Sequence, residues 1–118
     1  MKKKKIYSSL LAIAAANPSG FTVNFNDLAP VATGYAVAVA ATQNSFGEAG
    51  LRRVIDFVAA NAPAVSAFGG WLDQESGLYY WDATIICSTR EEAERLARAN
   101  NQIAFFHLDT LTEIRVEA

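Results

Sequence analysis

Two side chains in this sequence could pair as nucleophile and base: Cys87, the only cysteine, and His107, the only histidine. A reactive thiol needs a lowered pKa, and the helix start expected just after Cys87 would help to supply one. Cys87 nevertheless ends an apolar run beside Ile85 and Ile86, where an unpaired cysteine reads as a small buried hydrophobe. His107 alternates in facing with Phe106 and reads as a hydrogen-bonded or exposed strand residue, because a general base needs a partner that the sequence does not identify. One cysteine excludes an intramolecular disulfide and a multi-cysteine metal centre, and one histidine excludes a two-histidine relay within the chain. Asp73, Glu75 and Asp82 surround a single turn, and gathered carboxylates can do acid–base work or hold a divalent cation. Acids near turns are more commonly solvated turn formers. No residue is therefore assigned as catalytic or metal-ligating, and no cofactor is implied.

The binding candidates are aromatic and polar. Trp71, Tyr79, Tyr80 and Trp81 crowd one hairpin, with Tyr35 able to join them from a neighbouring strand. Strand alternation sends Tyr79 and Trp81 to one face and Tyr80 to the other, so part of the cluster is expected at the surface. Cross-strand packing accounts for such a cluster, but surface Trp and Tyr also anchor protein interfaces. Gly69 and Gly70, just before Trp71, read as a bulge or as a place where a ligand or another backbone approaches closely. The loop Thr42, Gln43, Asn44 precedes a helix start, where an anion could bind, and these three residues have no structural role visible in the sequence.

The elements that hold these residues follow from punctuation and periodicity. Ser45 with Glu48 and Ser88 with Glu91 have the spacing of capping boxes and are expected to open two helices, about 46–61 and 89–100. Apolar residues at Leu51, Val54, Ile55 and Val58 give the first an inward stripe. Ala93, Leu96 and Ala97 do so for the second, with Glu91–Arg95 and Glu94–Arg98 as outward i, i+4 pairs. Strands are expected around Phe21–Phe25, Tyr35–Ala40, Ala64–Leu72, Leu78–Cys87, Ile103–Leu108 and Glu113–Glu117. Ala36, Ala38 and Ala40 alternate with Tyr35, Val37 and Val39, leaving a small-residue face that another backbone or a helix can approach. The repeated strand–helix–strand pattern, from about 34 to 72 and from about 78 to 108, predicts an α+β domain. Its ferredoxin-like βαββαβ core would carry an added N-terminal helix and strand, an added C-terminal strand and a mostly antiparallel sheet. Such a core hosts many unrelated functions.

A chain of 118 residues, 52% apolar with seven Phe, four Tyr and two Trp, can build one domain around its own core. A net charge of −2 offers nothing for nucleic acid to bind beyond the Lys2–Lys5 run. That run and the apolar residues after it resemble a secretory signal, yet Ile6, Leu10 and Ile13 recur at helical spacing and favour a helix of the fold. The apolar stretch is also far short of the roughly 20 residues that a bilayer span needs. The wording Gly34-Tyr-Ala-Val, Thr42-Gln-Asn-Ser-Phe-Gly-Glu, Gly69-Gly-Trp-Leu-Asp, Ser76-Gly-Leu-Tyr-Tyr-Trp-Asp, Gln102-Ile-Ala-Phe and Glu113-Ile-Arg resembles small uncharacterised proteins carried by mobile elements of gut anaerobic bacteria. That resemblance covers most of the chain, implies a cytoplasmic bacterial or phage-type accessory protein, and brings no activity or site residues with it. Secretion is the alternative location. The expected function is a non-enzymatic interaction module with a protein partner or a second copy, using Trp71 and Tyr79–Trp81. The alternative is a ligand-binding or enzymatic domain with a pocket between the 42–47 loop and the sheet.

Overall fold

The computed structural model describes residues 2–116; Glu117, the last residue of the expected edge strand, lies outside them. In chain order these residues form α1 (Lys3–Ala16), β1 (Gly20–Asn24), β2 (Tyr35–Ala38), a 3₁₀ turn (Ala40–Thr42), β3 (Ser45–Phe46), α2 (Gly47–Asn61), β4 (Ala67–Leu72), β5 (Tyr79–Cys87), α3 (Arg90–Ala99), β6 (Ala104–His107) and β7 (Thr112–Arg115). The fold is α+β, with one seven-stranded antiparallel sheet in the order β1-β4-β5-β2-β6-β7, and β3 pairs with β5 beside this path.

That order differs from the four-strand plan of a ferredoxin-like domain. β1 pairs on the far side of β4, β7 on the far side of β6, and the 3₁₀ turn splits the strand beside β5 into β2 and β3. Both ladders of β5 are long. Trp71 lies opposite Tyr80 and Gly69 opposite Asp82 on one side, while Phe46 lies opposite Tyr80 on the other.

All three helices cover one face. The larger core joins Ile6 and Leu10 of α1, Leu51, Val54, Ile55 and Val58 of α2, and Val23, Phe68, Trp81 and Ala83 from the strands. A second core joins Ala93 and Ala97 of α3 to Val37, Cys87 and Phe105. Every one of these strand residues has the same facing in the register, so the other face of the sheet carries no helix. The lysine-led N-terminal segment is thus a helix of the fold, with Ile6 and Leu10 buried and Lys3 paired to Asp56 of α2 at 3.0 Å. No helix among the described residues is long and apolar enough to cross a membrane.

The helix starts need correction. Ser45 does not cap α2: it sits in β3 and its hydroxyl donates to the Thr42 carbonyl at 2.6 Å, while Phe46 occupies the cap position without a side-chain bond. Pairing of Ser45 with Trp81 holds the backbone extended there, so the helix starts later. For α3 the cap is Thr89, one residue past Ser88, and its hydroxyl accepts from the Glu92 N–H at 3.3 Å. Glu94–Arg98 forms as expected at 3.2 Å.

The connection from β1 to β2 shapes the helix-free face. The Val31 N–H donates to the Thr22 carbonyl, outside β1. Gly34 lies against the Ile86 side chain, and its N–H donates to the Asp109 carboxylate at 2.8 Å. Three residues span about 10 Å at most, well short of what a flat sheet would place between these anchors across β1, β4 and β5 at roughly 4.8 Å per strand, so the sheet is curled here. On the helix-free face Ala67 and Thr84 are buried without a helix over them, as a sheet curled towards that face allows. The small-residue row Ala36 and Ala38 shares that face.

Candidate functional site

One end of the helix-free face is open, where β3, β5, β4 and β1 place Phe46, Tyr80, Trp71 and Gly20 side by side. The Trp71 and Tyr80 rings stack with centroids 5.0 Å apart and planes 20° apart. Phe46 meets Tyr80 edge-on at 5.7 Å. Trp71 is 44% and Phe46 47% exposed, and Leu72 and Leu78 at the same end of the hairpin are exposed as well. Tyr80 is half-buried between them.

Asp82 occupies the next position along β5 on this face, opposite Gly69. A side chain at Gly69 would meet the Thr84 hydroxyl at 3.0 Å and the Asp82 carboxylate at 3.6 Å, so the glycine makes room for the carboxylate to lie over the sheet. Burial pushes the Asp82 carboxyl up to about 7, and a hydrogen bond from Trp71 pulls the other way. A carboxylate surrounded by Trp, Tyr and Gly is short of solvent and of positive charge. Residues 67–87 contain Asp73, Glu75 and Asp82 and no Lys, Arg or His.

No protein-family model, curated protein or solved structure matches the chain.

The hairpin aromatics divide between the two faces as alternation requires. Tyr79 and Trp81 lie under the helices: Trp81 is 6% exposed, and the Tyr79 hydroxyl donates to the Asn17 carbonyl at 3.0 Å, tying the end of α1 to the sheet. Gly70 sits in regular register opposite Trp81 with no bulge, and a side chain there would collide with the Phe21 ring and come within 2.8 Å of Tyr79. The space at the glycine pair, expected to admit a ligand or another backbone, is taken by aromatic rings at Gly70 and by the Thr84 and Asp82 side chains at Gly69.

The 42–47 loop is occupied by structural work. Thr42 is fully buried, and its hydroxyl accepts from the Ala83 N–H at 3.1 Å. The Gln43 carbonyl accepts from Arg53 at 3.2 Å, and Asn44 has a φ of 64°, a turn conformation that asparagine tolerates. Gln43 and Asn44 side chains are exposed. Asp73 forms the hairpin turn, accepting from the Ser76 hydroxyl at 2.7 Å and the Glu75 N–H at 3.3 Å, and so stands apart from Asp82.

Cys87 and His107 line a separate cleft of about 600 Å³ with Tyr35, Glu92 and Asp109. Burial, with the neighbouring Glu92 carboxylate, pushes the Cys87 thiol up to about 11, the opposite of what a nucleophile needs. Both ring nitrogens of His107 have partners, Thr110 at 2.9 Å and Asp109 at 3.3 Å, and the ring stacks on Tyr35 at 4.5 Å. Among the described residues no group of three His, Cys, Asp or Glu side chains could hold a metal ion.

Sequence reasoning missed Phe46, which it took for part of a helix cap, and it grouped Asp82 with the turn acids. The available signal was in the strand itself: Asp82 is the only charged residue in the nine of β5. Alternation also puts Asp82 on the face of Tyr80.

Proposed function

We propose that this protein is a non-enzymatic binding module whose contact surface is the open end of the helix-free sheet face, centred on Phe46, Trp71 and Tyr80. One observation carries the reading: three contacting aromatic rings lie on a sheet face without a helix, two of them close to half exposed. Clustered exposed apolar groups of this kind mark interaction sites in soluble proteins, and aromatic side chains anchor such interfaces. We further read β4-β5-β2-β6, linked in chain order as β2-α2-β4-β5-α3-β6, as a ferredoxin-like core that presents this surface. The accessory role in bacteria rests on the sequence resemblance alone. A pocket beside the 42–47 loop has less support, since Thr42 and Ser45 spend their hydroxyls on the backbone.

The test is a peptide-display selection on the full chain, followed by binding of the enriched peptides to Trp71→Ser and Phe46→Ser variants shown by circular dichroism to remain folded at the assay temperature. Peptides that lose at least tenfold in affinity for both variants support the reading. Enriched peptides that bind both variants as they bind the parent, or a selection without enrichment, would overturn it.

A further inference from the structure

We propose that the open end of this face receives an arginine side chain of a partner protein, its guanidinium lying against Trp71 and paired to the Asp82 carboxylate. This inference rests on the reading of the face as a binding surface and names the chemistry of what it binds.

Three features of the site point to that occupant. The first is shape: Tyr80 covers one side of the Trp71 ring, whereas the neighbour across β1 is Gly20, which has no side chain to cover the other. A flat group can therefore lie against Trp71 on that side. The second is the carboxylate. Asp82 leans over Gly69, next after Tyr80 along β5 on the face that Trp71 shares. A carboxylate next to an exposed indole face offers a cation both an ion pair and a π surface. The third is charge. From Ile6 to Leu51, and again from Ala67 to Cys87, the chain has no Lys, Arg or His. Strands β1 to β5 thus bring Asp82 to this face and no basic side chain of their own, and the turn between β4 and β5 adds only the acids Asp73 and Glu75.

Arginine suits the site better than lysine. Its planar guanidinium can stack on an aromatic ring while two of its N–H groups meet one carboxylate, and it is less strongly hydrated than an ammonium. The apolar neighbours Phe46 and Leu78 then call for apolar residues beside the arginine in the partner. The acidic character of the region argues against a nucleic-acid or anionic-membrane partner.

Three capped pentapeptides, Gly-Leu-Arg-Leu-Gly and its citrulline and glutamate counterparts, serve as probes in NMR titrations that follow the Trp71 indole N–H and the Gly69 amide. Citrulline keeps the shape and most donors of arginine and removes the charge. The arginine peptide is expected to shift both signals at millimolar concentration, with the citrulline peptide at least tenfold weaker and the glutamate peptide inactive. Asp82→Asn should erase the difference between arginine and citrulline. Equal responses to arginine and citrulline, or a preference that survives Asp82→Asn, would overturn the arginine assignment. A face that binds the peptides of the display selection but shows no charge preference would leave the contact-surface reading standing and remove this one. Sedimentation completes the test: a dimer that dissociates on Trp71→Ser would assign the face to a second copy and overturn the proposal.

Discussion

Replacing Asp82 by Asn should stabilise the protein at pH 8 and do much less at pH 5. The carboxyl titrates near 7 in the folded chain, against an ordinary value of 3.8, because the sheet and the Trp71 and Tyr80 rings keep water from it. A raised carboxyl pKa means that the native state binds the proton more tightly than the unfolded chain. Between the two values stability falls as pH rises, by up to about 1.4 kcal/mol per unit. Below about pH 4 both states are protonated and nothing is lost, and above about 7 the loss is complete. The full difference would be roughly 4 kcal/mol for a carboxylate cut off from solvent. Asp82 retains partial exposure, so the realised value is smaller. Between pH 5 and pH 8 the stability gap between Asp82→Asn and the parent should widen by about 2 kcal/mol. Urea unfolding of both proteins at the two pH values measures it directly, and the other titrating groups cancel in the comparison. A gap that changes by less than about 0.5 kcal/mol would refute the argument that this carboxyl is desolvated.

The remaining predictions separate structural from exposed residues. Trp81→Ala, which empties a core position only 6% exposed, should cost about 3–5 kcal/mol in urea unfolding. Trp71→Ala should lose about 0.5–1.5 kcal/mol, the worth of its stack on Tyr80. Thr42→Val keeps the shape of the side chain and strands the Ala83 N–H, so it should cost about 1–3 kcal/mol by the same assay. Cys87, 1% exposed and with its thiol raised to about 11, should resist iodoacetamide at pH 8 in the folded protein and react fully in 6 M guanidinium, as read by mass spectrometry.

Much of the element order was legible because it rests on local chemistry. The stripe Leu51, Val54, Ile55, Val58 and the alternation through Tyr79–Cys87 required an inward face, and the structure buries those residues as the periods demand. What local patterns could not supply was the competition between them. Ser45 has the spacing of a cap, but pairing of β3 with Trp81 claims its backbone, and a hydroxyl–carbonyl bond claims its side chain. The strand beside β5 is interrupted because the Thr42 hydroxyl reaches the Ala83 N–H through a 3₁₀ turn. The site followed the same rule. Alternation separated Tyr80 from Tyr79 and Trp81, yet which face lacked a helix depended on where α1, α2 and α3 docked. Phe46 joined Tyr80 only through the register of β3. Asp82 drew its significance from Gly69 across the ladder, a neighbour 13 positions away in sequence.

Where a selected ligand touches the protein tests the contact surface most directly. Chemical-shift mapping with the tightest peptide from the display selection should show its largest changes at Phe46, Gly69, Trp71, Tyr80 and Asp82, with Cys87 and His107 unaffected. Changes centred instead on the Tyr35, Cys87 and His107 cleft, with the Trp71 indole unmoved, would contradict it.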